Sequence, residues 1–223
     1  PYRDLEGKKL KYTVSELKKR AYLAEEAGEL PYEDEPVVPL IPRFLQGEEE
    51  ITGAPRGTAY HRVMELLDFT KEYDLEGTEV AIEKMCESGR IAGEMAESVR
   101  PKDILTFIHT TSGQRMKQAA EENKLRKEQP FVLGIPARDI YPEMTEEDET
   151  MLVQGIIDVC FEEDGELVVL DYKTDKIWSE QKLLDKYQSQ LEYYARALEQ
   201  ITGKKVREKI IYSFTMQKEL AWK

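Results

Sequence analysis

Residues Gln154–Asp175 read QGIIDVCFEEDGELVVLDYKTD, and this stretch decides the fold. Asp164-Gly165 stands between two apolar runs, the pattern of a β-hairpin closed by a two-residue turn. Pairing outward from that turn sets Glu163 against Glu166, Phe161 against Val168 and Val159 against Leu170. Asp158 then falls opposite Asp171, on the same face, with Cβ atoms roughly 4.5–5.5 Å apart. Lys173 lies two residues past Asp171 and so points to that face too. A three-residue loop would shift this register by one position.

The flanking residues Ile156, Ile157, Val159, Val168, Val169 and Leu170 are apolar on both faces, which marks a buried central hairpin. Buried acids need partners, and two facing carboxylates repel each other unless a cation sits between them. Mg²⁺ suits such a place, because it takes a few carboxylates and completes its shell with waters and phosphate oxygens. The Lys173 ammonium would then orient an attacking water or stabilise charge on a phosphate. The alternative is a pair of strand-end acids with Lys173 as a counter-ion.

Outward from the hairpin, Phe131–Ile135 and Met151–Phe161 read as strands, Glu166–Tyr172 as a third and Val206–Phe214 as a last. Ser179–Ile201 reads as an amphipathic helix, with Leu184, Tyr187, Leu191, Tyr194, Leu198 and Ile201 at helical spacing and Gly203 closing it. Gln190 and Tyr194 are one turn apart on that helix, where they could contact phosphate or a base, or brace Lys173. The first half is helical. A helix is expected over Val14–Ala27, a second from Pro55 to Phe69 and two or three more up to Asn123, broken near Pro101 and Gly113. Pro31, Pro36, Pro39, Pro42 and Pro55 punctuate an irregular arm between the first two. On the second helix His61, Glu65 and Asp68 share one face, and His61 is a competent metal ligand; His109 lacks such neighbours. The expectation is an α/β protein: a mixed central sheet flanked by helices, with a helical N-terminal half. Residues 1–54 form an N-terminal helix and arm, and residues 55–223 the main domain (helical over 55–125, sheet core over 129–223).

Among the 223 residues, 40% are hydrophobic and 35% charged, a globular composition without a run apolar enough to span a bilayer or serve as a signal peptide. The chain begins without Met, which suggests a fragment of something longer. Cys86 and Cys160 are too few and too far apart for a disulfide framework or metal–thiolate cluster, and read as reduced thiols of a cytoplasmic protein. The net charge of −13 runs against a nucleic-acid binder, but segments 25–50 (net −8) and 143–149 (net −5) account for all of it. Lys182, Lys186, Arg196, Lys204 and Lys205 could meet phosphates, although scattered helix cations are usually just solvated.

The set His61-x-x-x-Glu65, Gly155-Ile-Ile-Asp158, Asp171-Tyr-Lys173 and Gln190-x-x-x-Tyr194, in this order, resembles the RecB-type branch of the PD-(D/E)XK nuclease superfamily. The lead-in KYTVSELKKR and the segment PLIPRF extend the likeness to the AddAB family of helicase–nucleases. That resemblance implies a restriction-endonuclease-like core. It implies Mg²⁺ held by His61, Asp158, Asp171 and the backbone carbonyl of Tyr172, with Mn²⁺ or Ca²⁺ able to take the same site. It implies Asp158, Asp171 and Lys173 as the catalytic set, supported by Glu65, Gln190 and Tyr194. It implies cleavage of one DNA strand at the nuclease site during double-strand-break processing, beside helicase domains and an AddB-like subunit. Two isolated cysteines cannot hold the iron–sulfur cluster that AddB-like chains carry, so none is expected here. No Gly-x-x-x-x-Gly-Lys-Ser/Thr sequence is present, so no helicase motor lies in this chain. A non-catalytic DNA-binding or docking module with the same fold is the alternative.

Overall fold

The computed structural model describes residues 11–14, 16–17, 56–141 and 150–223. The expected first helix beyond Leu17, the proline-rich arm up to Pro55 and both acidic segments lie outside the described residues.

The hairpin forms as its turn dictates. Asp164 and Gly165 both take positive φ (51° and 84°), the twist that a two-residue turn shares with its strands. Strand β3 (Thr150–Glu163) pairs antiparallel with β4 (Glu166–Lys173) from Glu163↔Glu166 to Val159↔Leu170, the register expected from the sequence. Beyond Val159 and Leu170 the ladder stops, and the two strands part.

The parting follows from what each strand pairs with next. Strand β2 (Leu125–Pro136) runs antiparallel along one side of β3, from Leu125↔Phe161 to Pro136↔Thr150. On the other side of β3, β4 covers only the turn-proximal part, while β1 (Lys11–Thr13) pairs parallel with Leu152–Gln154. Strand β4 turns instead toward β5 (Val206–Ser213), its parallel neighbour, and β6 (Lys218–Trp222) closes that side antiparallel to β5. The sheet is mixed, and a fork opens in it between β1 and β4, at Gly155–Asp158.

The helices cover both faces. Helix α1 (Arg56–Leu66), α2 (Leu75–Glu87), α3 (Gly93–Glu97), α4 (Pro101–Ile108) and α5 (Thr111–Glu121) gather on one face. There Tyr60, Met64, Phe107 and Met116 pack on Phe161, Val168, Leu170, Tyr172, Tyr212 and Phe214. Helix α6 (Glu180–Thr202) lies on the other, with Leu183, Tyr187, Leu191, Tyr194 and Leu198 against Phe131, Val153, Ile157 and Val169. Ser179 caps it, and Gly203 ends it in the left-handed conformation (φ 69°). Its apolar stripe stops at Leu198; Ile201, expected on the stripe, lies in the last turn and is exposed.

Some boundaries differ from expectation, each for a physical reason. Helix α5 does not break at Gly113. It starts two residues earlier, where the Thr110 side chain accepts the Gly113 N–H, and Gly113 is required because a Cβ there would lie 2.3 Å from the Phe107 carbonyl oxygen. Helix α1 stops before Phe69 because Asp68 folds back to accept the Thr70 N–H. Strand β2 begins at Leu125, earlier than Phe131, although Arg126-Lys127-Glu128 is charged. Among the described residues it pairs only with β3, and such an edge tolerates charge. The strands β1 and β6 are short and had no readable pattern.

In one respect β2 and β3 behave together. Leu125 and Val159 pack on the α1–α5 side, whereas Phe131 and Ile157 pack on the α6 side, although each pair has the same parity. Both strands therefore swap faces at one level. Glu128, opposite Asp158 by register, carries the swap in β2 with φ +50°.

Candidate active site

Asp158 and Asp171 sit on either side of the fork, both buried. They do not face each other unrelieved, as the sequence suggested, because each has its own cation. Asp158 Oδ2 accepts the Tyr172 backbone N–H at 2.9 Å and lies 3.2 Å from His61 Nδ1. Asp171 Oδ2 lies 2.8 Å from Lys173 Nζ, and its Oδ1 accepts a long bond of 3.4 Å from Gln190 Nε2.

His61 reaches this place from α1, whose buried residues Ala59, Tyr60, Val63 and Met64 seat the helix on the sheet. Two struts fix it. Tyr60 donates to the buried Asp103 of α4 at 2.6 Å, and Lys127 Nζ donates to the Leu67 carbonyl at 2.6 Å from β2. The imidazole enters the fork where the ladder is open, with Nε2 2.9 Å from the Tyr172 carbonyl. Both ring nitrogens lie against acceptors, which favours the charged, protonated ring, and it must release a proton to ligate a metal. Burial opposes that charge, but the Asp158 carboxylate outweighs it and raises the His61 pKa to about 9.

The same balance tips in opposite senses for the two acids. Burial pushes Asp158 up, but His61 and Lys173 hold it below the usual carboxylate range. For Asp171 burial wins: Lys173 pulls down, Asp158 pushes back, and the group is raised to about 6.

Helix α6 supplies the brace. Lys173 Nζ donates to Gln190 Oε1 (3.2 Å) and lies 4.0 Å above the Tyr187 ring, while Gln190 Nε2 donates to the Tyr194 hydroxyl (2.6 Å). Tyr194 stacks edge-on with Phe131, centroids 5.7 Å apart. The Gln190-x-x-x-Tyr194 spacing thus holds the lysine and the acid beside it.

Glu65, one turn beyond His61, is engaged with Arg62 at 2.6 Å on the helix flank. Lys186, Arg196 and Lys204 are held by Asp175, Asp139 and Glu162. Cys160 is buried, which pushes its thiol up to about 11 and makes it inert.

Glu128 escaped the sequence reading. His61, Glu128 and Asp158 each offer a donor atom, all within 4.8 Å of one another. Nothing local singles out an acid in the charged run Arg126-Lys127-Glu128. Its place depends on the β2–β3 register and on its left-handed backbone. Asp171 adds a buried Oδ2 that accepts no well-directed hydrogen bond. A nitrogen and several carboxylate oxygens, one of them incompletely satisfied, form a donor set that fits a hard divalent cation.

A profile of the PD-(D/E)XK nuclease superfamily matches residues 20–221. The chain belongs to the PD-(D/E)XK nuclease superfamily. Its mixed, helix-flanked sheet is the restriction-endonuclease-like α/β fold of that superfamily. Among curated relatives of this PD-(D/E)XK chain is the AddA subunit of the ATP-dependent helicase/nuclease of Clostridium novyi, 37% identical over 98% of this chain and 18% of the relative. Proteins of the same name from Lachnoclostridium phytofermentans (34% identical; 82% of this chain, 16% of the relative) and Desulforamulus reducens (34%; 96% and 17%) are similar to it as well. This PD-(D/E)XK chain thus spans less than a fifth of the length of these relatives. Among its described residues no helix is long and apolar enough to cross a membrane.

Proposed function

We propose that this chain is a divalent-metal-dependent deoxyribonuclease domain that hydrolyses phosphodiester bonds of a single DNA strand. The observation that carries the reading is the convergence of His61, Glu128 and Asp158 at the fork, beside the Asp171–Lys173 pair. These donors, with the Tyr172 carbonyl, would hold the ion, Mg²⁺ in the cell and Mn²⁺ or Ca²⁺ in its place. Such an ion, when bound, would polarise a phosphate oxygen and acidify a water.

The chain's own groups do the rest. Lys173, held by Gln190 and the face of Tyr187, directs its ammonium at the attacking water or at a non-bridging phosphate oxygen. The water oxygen bonds to phosphorus while its proton passes to solvent, the bond to the leaving sugar oxygen breaks, and that oxygen takes a proton from solvent. Asp171, raised to about 6 by burial, is paired with Lys173 in the metal-free site, and a bound cation would favour its ionised form further.

The relatives are named as helicase/nuclease subunits. By extension, this domain works within a longer helicase–nuclease with an AddB-like partner, in the cytoplasm, on strands unwound from double-strand breaks. Residues 55–223 form the nuclease domain, and 1–54 an arm whose strand β1 joins its sheet. The test is cleavage of a labelled single strand with Mg²⁺. Asp171→Asn, which keeps shape and the Gln190 bond, should lose activity by at least about a thousandfold with its circular dichroism unchanged. Wild-type rates in that variant would leave a binding module as the better reading.

A further inference from the structure

Between β4 and α6 the chain passes through Thr174–Ser179, and Trp178 stands 75% exposed on that segment, the most exposed large hydrophobic residue among those described. It is displayed on a pinned segment. The Thr174 carbonyl accepts the Thr215 hydroxyl at 3.2 Å, and the start of α1 lies close by, since a Cβ on Gly57 would be 3.1 Å from Thr174 Oγ1. Asp175 turns inward, taking Lys186 Nζ at 2.7 Å and the Tyr187 hydroxyl at 2.8 Å. Ile177 packs into the α6-side core, and Ser179 caps α6. Lys176 and Trp178 alternate with these anchors and face solvent, as does Lys182 one turn into α6. Tyr187 ties this segment to the chemistry, because the ring that holds Asp175 through its hydroxyl also carries Lys173 on its face.

We propose that Trp178 is a stacking platform for an unpaired nucleobase of the strand whose phosphate lies at Lys173, with Lys176 and Lys182 meeting the neighbouring phosphates. This rests on the nuclease reading and adds to it a residue that holds substrate. The geometry is permissive: Trp178 is five positions beyond Lys173, so their Cα atoms lie within about 18 Å of each other. The surroundings select the ligand. Among the described residues the other exposed large hydrophobics, Leu75, Val80, Val132, Leu152 and Ile201, lie on other elements, so none of them extends Trp178 into a run of the kind that forms the centre of a protein interface. An exposed aromatic ring at the end of the catalytic strand, with Lys176 two positions before it and Lys182 four after, suits a base with phosphates on both sides.

The test exploits the ring itself. Trp222, the other tryptophan, is half-buried with its Nε1–H directed at Glu192, so Trp222→Phe leaves Trp178 as the sole emitter. With EDTA present, a short oligothymidylate should quench that emission saturably, and an abasic strand of equal length, which keeps the phosphates, should not. With Mg²⁺, Trp178→Ala should raise KM for single-strand cleavage roughly 5- to 100-fold with kcat within about twofold, and Trp178→Phe should restore most of it. Equal quenching by the abasic strand, or no quenching with KM unchanged in a chain that still cuts, overturns the platform and leaves the nuclease intact. If the wild-type chain does not cut at all, the nuclease reading fails, and quenching by oligothymidylate alone decides the platform. Protection of Trp178 from acrylamide in the longer protein, without quenching by either strand, assigns it to a protein contact and likewise overturns it.

Discussion

Glu128 holds its position at a cost. A non-glycine residue at φ +50° gives up roughly 1–2 kcal/mol relative to ordinary backbone, and this one does so where β2 and β3 swap faces. Strain that persists opposite Asp158 is repaid if the carboxylate has work to do there. Two substitutions separate the parts of that argument. Glu128→Gln should weaken Mn²⁺ binding, read by titration calorimetry, by about 10- to 100-fold, with little change in metal-free melting. Glu128→Gly loses the same affinity but also relieves the backbone, and should melt no lower than Glu128→Gln. An unchanged Mn²⁺ affinity in both would remove Glu128 from the site. Lys173 shows the complementary economy: it neutralises Asp171 while no cation is bound, so the site is tolerable to the fold when empty.

At the scale of elements, Gly155 matters for space, not for conformation. A Cβ there would come within 2.9 Å of the Phe131 ring and 3.2 Å of Val14. Phe131 stacks on Tyr194, which takes the Gln190 amide, which in turn holds Lys173. Gly155→Ala should therefore cost about 1–3 kcal/mol in denaturant unfolding and lower kcat more than it changes KM. A stability loss with kcat untouched would show that the aromatic relay ends at Phe131. The hairpin was legible near its turn because one turn dipeptide fixes the register as far as Val159 and Leu170; the parting beyond, which carries Asp158 and Asp171, depends on neighbouring strands and does not follow by counting. Helix α6 was legible through its 3.6-residue stripe, which holds as far as Leu198, and through the Gly203 that closes it. Glu128 was not, because its partner is about 30 residues away and no local pattern sets the β2–β3 register. His61 was readable as a residue type on a helix face, but the struts that aim it, Tyr60 to Asp103 and Lys127 to Leu67, join elements whose packing no periodicity specifies.

The net charge of −13 is carried by segments 25–50 and 143–149, and the remainder of the chain is neutral overall, so it offers a phosphate backbone little net attraction. Binding of a single strand should rest on a few cations near the fork, Lys173, Lys176 and Lys182. The expected Kd at physiological salt is weaker than micromolar, and log K against log salt should have a slope no steeper than about −2, at roughly 0.7 per phosphate. Sub-micromolar affinity with a steep slope would mean that a basic surface has been overlooked. A domain tethered beside a motor can dispense with such affinity, since tethering itself supplies concentration. The fork has a further consequence, for the order in which the molecule assembles. Its β3–β4 arm closes over two residues, whereas β1 must find β3 across ~140 residues of chain, a search whose entropy is lost before any contact rewards it. The hairpin bearing both aspartates can therefore form early, while the chain is largely open. The side of the fork next to Gly155 is bordered by the residue after β1, Val14, so that border is expected to form later than the hairpin.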